Sequence, residues 1–195
     1  MTDFPLTWMA SAFRKNGLQV RAVKGWRTRG RPFDFAPRGV IFHHTASNAN
    51  GGNAPALGIC VSGKSDVPGP LCNVLVGRDG TVILIAAGRA NHAGLGGPLR
   101  GIPQDSANSF LAGVEVENNG LSPEQPQGPG EAWSRDLRDT CDLVFATLLV
   151  GLGRRSSWLF GHKEWTDRKI DPARIDLDNT RSRVAAQIRA IRRGG

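Results

Sequence analysis

Tyrosine is absent from this 195-residue chain, methionine occurs twice and cysteine only three times. The cysteines, Cys60, Cys72 and Cys141, form no Cys-x-x-Cys pair, and an odd number in a chain of this size argues against a disulfide framework. Core thiols are the simpler reading. A Cys60–Cys72 bridge stays open, since both residues sit near one loop. No run of about 18 apolar residues occurs, which argues against a membrane-spanning helix. The first residues, Met1-Thr2-Asp3-Phe4-Pro5, place an acid where an export signal carries positive charge, and no apolar stretch with a small-residue cleavage site follows. A soluble protein lacking an ordinary export signal is therefore expected.

What is present bounds the answer further. With 39% hydrophobic residues, the chain can bury one substantial core but is short for two enzymatic domains. The formal charge of +8 calls for an anionic partner: nucleic acid, a membrane surface or an acidic wall polymer. Arg21, Lys24, Arg27, Arg29 and Arg31, broken by Gly25, Gly30 and Pro32, read as a basic arm hugging the surface. These arginines, with Arg189, Arg192 and Arg193, have no base-reading motif beside them, so nucleic acid is not expected.

Hydrophobic periodicity marks the elements. Leu6, Met9 and Phe13 recur at helical spacing and end in Arg14-Lys15-Asn16-Gly17, a helix stop. Gly39 to His44 is a buried-type strand, and Leu71–Val76 and Thr81–Ala86 flank the turn Gly77-Arg78-Asp79-Gly80 as a β-hairpin. Ala112 to Glu117 alternates apolar and acidic residues, which places Glu115 and Glu117 on one strand face. After a Pro/Gly-rich loop from Leu121 to Gly130, a long helix capped by Ser134 carries Leu137, Cys141, Val144 and Leu148 on one face and stops near Gly151 and Gly153. Trp158-Leu159-Phe160 is a short strand leading into Gly161-His162, and the last helix turns Val184, Ile188 and Ile191 inward. Strands interspersed with helices and no regular βαβ repeat predict an α/β single domain, a central mixed sheet flanked by about three α-helices. The expected organisation is a helix and basic arm over 1–37, a core over 38–175 and a terminal helix over 176–195.

Of the four histidines, His43 closes one strand and His162 follows another, while Asp171 lies in a nearby loop that ends at Pro172. Two imidazoles and a carboxylate form a familiar zinc donor set that leaves a fourth position for water. Singly, each histidine is more often structural. Glu115 could take a proton from such a water, or be a carboxylate on a solvated strand face, the role that suits Glu117 better. Lys169 precedes Asp171 by two positions, so both side chains could reach one cleft; otherwise it is a surface lysine. Asn91-His92-Ala93-Gly94 reads either as a mobile wall over the cleft or as a simple turn.

Together, Val40-Ile41-Phe42-His43-His44-Thr45-Ala46, Gly77-Arg78-Asp79-Gly80-Thr81-Val82, Gly113-Val114-Glu115-Val116-Glu117 and Gly161-His162 through Arg168-Lys169-Ile170-Asp171-Pro172 resemble the zinc-dependent N-acetylmuramoyl-L-alanine amidase family. That family includes phage endolysins and peptidoglycan recognition proteins, and the likeness runs over about residues 38 to 175. It implies that His43, His162 and Asp171 bind zinc, that His44 is structural, that Glu115 is the catalytic acid/base and that Lys169 stands beside the last ligand. Thr45, Asn73, His92 and Trp165 are the further candidates for substrate contact. Many members carry a tyrosine near the zinc where this chain has Cys72, so a phenol's duty would fall on Glu115 or Lys169.

The resemblance implies hydrolysis of the amide between N-acetylmuramic acid and the L-alanine of the stem peptide. It implies bacterial peptidoglycan as partner, joined by anionic wall polymers to suit the charge, with no membrane and a monomeric state. Gly25-Trp26-Arg27-Thr28-Arg29-Gly30 looks like endolysins of actinobacterial phages, made in the host cytoplasm and acting on the wall after release. A non-catalytic peptidoglycan-binding module is the alternative, disfavoured because all three ligands are present.

Overall fold

The computed structural model of the chain describes residues 4–124 and 130–194. The expected N-terminal start at Met1–Asp3 and the middle of the 121–130 loop lie outside the described residues.

The strand-forming segments assemble into one six-stranded sheet: β1 (Val20–Ala22), β2 (Gly39–His44), β3 (Val74–Val76), β4 (Val82–Leu84), β5 (Leu111–Val116) and β6 (Leu159–Gly161), in the order β1-β4-β3-β5-β2-β6. The hairpin β3–β4 is antiparallel, and the other four pairings are parallel, so the sheet is mixed. The hairpin turn closes on sequence chemistry: Asp79 accepts the Thr81 N–H at 2.8 Å, and Gly80 sits at φ 82°, where a side chain is strained.

Period-two alternation divides the sheet into two faces with different tasks. Val40, Phe42, Val74, Val76, Val114 and Val116 point into the main core. There they meet three helices, α1 (Met9–Lys15), α4 (Arg135–Gly151) and α6 (Leu177–Arg193). α4 begins at Ser134, whose hydroxyl accepts the Leu137 N–H, and α6 at Asp176, whose carboxylate accepts the Asn179 N–H. Asp142 and Arg183 link the two helices through a 2.5 Å hydrogen bond. On the opposite face, Ile41, Leu111 and Phe160 form one small apolar cluster, and Leu75, Ile83, Ile85, Cys60 and Cys72 another. Between them lie the polar residues of that face.

Six α-helices occur among the described residues, where about three were expected. The three long ones are those the periodicity predicts. The others, α2 (Leu57–Ser62), α3 (Ala107–Phe110) and α5 (His162–Trp165), have six, four and four residues, too few for an amphipathic stripe to show. The arm also differs from expectation. Its start is β1, which pairs along β4, and a turn of 3-10 helix follows at Trp26–Thr28, with Trp26 buried in the main core. No helix among the described residues is long and apolar enough to cross a membrane. All three cysteines are buried free thiols.

Candidate active site

Parallel strands deliver their last residues to one end of the sheet, and the candidate residues gather there. Register alone sets Glu115 opposite His43, since β2 and β5 pair Gly39 with Leu111 through His44 with Val116. β6 pairs with β2 on the other side and runs directly into α5, whose first residue is His162. The loop after α5 brings back Asp171, fixed by the Lys163 N–H on the Asp171 carbonyl at 2.8 Å and by the Lys163 ammonium on the Pro172 and Ile175 carbonyls.

The result is a triangle of donor atoms. His43 Nδ1 lies 2.9 Å from His162 Nδ1 and 3.1 Å from Asp171 Oδ2, and His162 Nδ1 lies 3.0 Å from that same oxygen. All three residues are buried. His162 Nε2 faces the Ala93 carbonyl at 3.0 Å, so in the neutral ring that nitrogen carries the proton and Nδ1 is bare. A bare nitrogen 3.0 Å from a carboxylate oxygen sets two acceptors against each other with no proton between them. A cation resolves that conflict: atoms about 2.0–2.2 Å from a tetrahedral metal sit roughly 3.3 Å apart, close to the spacing here. His43, His162 and Asp171 therefore fit a metal site.

Electrostatics agrees. Burial pushes the His43 imidazole down to about 4, against the pull of Asp171, so at neutral pH it is uncharged and open as a donor. For Asp171, burial works to raise the pKa, but protons presented by the His162 and His43 Nδ1 atoms outweigh it and hold the carboxyl well below the usual range, the role a cation takes over when both nitrogens are bare. Glu115 has no such partner. Burial first, then Asp171 and Glu117, push it up to about 8, and its Oε2 is shut off from solvent with no hydrogen bond among the described residues. Lys169 is exposed at the rim, and its positive charge acts on both His43 and Glu115.

His44 points to the other sheet face and accepts the Ala173 N–H at 3.2 Å, so it pins the loop after Asp171. Glu117 is not on a solvated face. It is fully buried, taking hydrogen bonds from the Thr45 and Ser47 hydroxyls and the Ala56 N–H, with Arg78 3.9 Å away. Thr45 is thereby tied to Glu117. Asn73 is fully buried within the sheet: its amide holds the Gly113 N–H and the Ala86 and Gly88 carbonyls, all at 2.8–2.9 Å. Trp165 is buried beneath Gly96 and Gly97 and donates to the Gly94 carbonyl. His92 lies behind His43, with its Nδ1 3.3 Å from His43 Nε2. The segment Asn91 to Gly94 is thus a support for the donor triangle rather than a wall over the cleft. Cys72 is fully buried, and burial followed by its contact with Cys60 pushes the thiol well above its ordinary pKa.

Sequence reading missed two contributors. Arg78, in the hairpin turn, clamps Glu131 through two hydrogen bonds of 2.5 and 3.0 Å and also holds the Gly52 and Asn48 carbonyls. Asn108 accepts the N–H groups of both His92 and Ala93 at 2.9 Å. Neither stands in a local pattern that announces a distant partner.

The family model described as N-acetylmuramoyl-L-alanine amidase matches residues 33–174. The chain belongs to this family. No curated protein sequence matches it. Among solved structures, the amidase is similar to a selenomethionine derivative of AmpD, with 19% identity over 89% of this chain and 93% of that one and a TM-score of 0.57. It is similar to a mutant endolysin from Bacillus subtilis, with 16% identity, coverage of 86% and 99%, and a TM-score of 0.59. It is also similar to AmpDh3 from Pseudomonas aeruginosa in complex with anhydromuramic pentapeptide, with 16% identity, coverage of 80% and 62%, and a TM-score of 0.57. At these identities the likeness speaks for the fold, and the family match makes the amidase a peptidoglycan-acting enzyme.

Proposed function

We propose that this amidase hydrolyses the amide joining the lactyl group of N-acetylmuramic acid to L-alanine of the stem peptide, with zinc held by His43, His162 and Asp171. The observation that carries the reading is the triangle of two imidazole nitrogens and one carboxylate oxygen, each within 3.1 Å of the others. That donor set leaves room for a fourth ligand, as hydrolytic zinc sites require. Zinc bound there supplies Lewis acidity, lowering the pKa of water and polarising a carbonyl.

The chain's own residues do the rest. Glu115 sits in register beside His43 with a partnerless carboxylate oxygen, suited to take the proton of the attacking water and return it to the leaving amine. Lys169 places an ammonium at the rim, where negative charge develops on the carbonyl oxygen. Covalent catalysis by a thiol is disfavoured, because Cys60, Cys72 and Cys141 are all buried, and burial raises the thiols of Cys72 and Cys141. The AmpDh3 complex with anhydromuramic pentapeptide supports a muropeptide as substrate here. That one neighbour is described as an endolysin fits a lytic role; the reading includes a monomer made in a host cytoplasm that acts on the wall after release.

The test is digestion of purified peptidoglycan by the zinc-loaded protein and by His162→Ala, with the released ends identified by mass spectrometry. Free stem peptides beginning at L-alanine, made only by the unaltered protein, are expected. New reducing sugars, or cuts between stem residues, would assign a different hydrolase.

A further inference from the structure

A zinc-binding imidazole must present a bare nitrogen, and the two ring nitrogens of a neutral histidine compete for one proton. Which of them is bare is decided by what the other one touches. For His162 the decision is made by the Ala93 carbonyl. Among the described residues His43 Nε2, however, faces no carbonyl or carboxylate; it faces the Nδ1 of another histidine, His92, at 3.3 Å.

The ambiguity is removed one bond further on. His92 Nε2 lies 3.2 Å from the Leu111 carbonyl, which can only accept, so His92 Nε2 carries the ring proton and its Nδ1 is bare. Among the described residues no carboxylate lies within hydrogen-bonding distance of the His92 ring, whose partners are the Leu111 carbonyl and the His43 ring, so nothing there favours a second ring proton. A bare His92 Nδ1 must receive a proton from His43 Nε2, and His43 Nδ1 is then left bare toward His162 and Asp171.

The surrounding sequence is shaped to hold this ring. Asn108 fastens the His92 and Ala93 backbones with one side-chain oxygen. Gly113, opposite Ile41 in the sheet, lets the imidazole lie on the β5 backbone, since a Cβ there would come within 2.5 Å of the His92 ring. We infer that His92 is a positioning residue that sets the metal-binding tautomer of His43, and that the consecutive residues His92 and Ala93 together fix both imidazoles of the metal site. The inference rests on His43 being a metal ligand, as proposed above.

Its test uses the whole chain and two readouts. Long-range proton–nitrogen NMR on the metal-free protein at neutral pH should show His43 protonated at Nε2; a proton on Nδ1 would overturn the inference without any variant being made. Zinc affinity, from competition with a chromophoric chelator, should fall by about 10- to 100-fold in His92→Phe, which keeps a ring but cannot accept. His92→Gln, whose amide can accept from His43 and donate to Leu111, should recover most of that loss. Gly113→Ala, which displaces the ring without removing it, should resemble His92→Phe. A folded His92→Phe with parental zinc affinity, or a His92→Gln as weak as His92→Phe, would reduce His92 to packing. A parent chain that binds no zinc would instead overturn the proposed function, and the NMR measurement would still decide the tautomer.

Discussion

Glu115 sits between opposing influences, with buried surroundings and Asp171 raising its pKa and the Lys169 charge lowering it. The balance leaves it protonated at neutral pH in the metal-free protein, pushed up to about 8 from an ordinary 4.5. A group raised on folding contributes stability that is fully present below its unfolded pKa and lost as the pH climbs through the folded one. Without zinc, the Tm advantage of Glu115→Gln over the parent should therefore grow between pH 4.5 and about 8 and then level off. Melts in the presence of chelator read this directly, and an equal offset at pH 4 and pH 9 would contradict it. In the zinc-loaded enzyme the same substitution should lower turnover by about 100-fold or more while zinc stays bound, the scale of a general base. Unchanged turnover would remove Glu115 from the mechanism.

Among the elements, the strands that carry the site depend on a residue that joins three of their neighbours. Asn73 ties β5 at Gly113 to the chain leaving β4 at Ala86 and Gly88. Asn73→Ala would leave one N–H and two carbonyls buried without partners, and unmade buried hydrogen bonds cost about 1–3 kcal/mol each. Partial relaxation makes a loss of roughly 3 kcal/mol the expected result in denaturant unfolding. Sequence pattern revealed the strands but not this bracket. Period two and helical spacing are local, whereas the partners of Asn73 are 13, 15 and 40 residues away. The same reasoning covers the basic arm. Its glycines and arginines read as irregular, yet Val20–Ala22 become a strand because β4 offers an open edge to pair with. The donor triangle was legible because His43, His162 and Asp171 each sit where a strand or a proline-bounded loop ends. The roles of His92 and Asn73 were not, because they depend on which nitrogen or carbonyl lies behind them.

For the molecule as a whole, the charge of +8 is the largest feature that the site leaves unexplained. Arg21, Lys24 and Arg27 are exposed on the arm, and Arg189, Arg192 and Arg193 on the outer face of α6. If these groups hold the enzyme on anionic wall polymers, binding to purified walls should weaken steeply as salt rises past physiological strength, where the screening length is about 8 Å. Arg21→Gln, Lys24→Gln and Arg27→Gln combined should lower wall binding at low salt and leave zinc affinity as it was. Pull-downs insensitive to both salt and these substitutions would locate wall binding elsewhere. The sheet order carries one more consequence. β2 lies between β5 and β6, both later in the chain, and Asp171 comes 128 residues after His43. While the polypeptide is still being synthesised, His43 waits for neighbours that have not yet left the ribosome. Nascent chains and products of premature stop codons before Asp171 lack the third donor of the candidate metal site, so they are expected to be inactive on peptidoglycan.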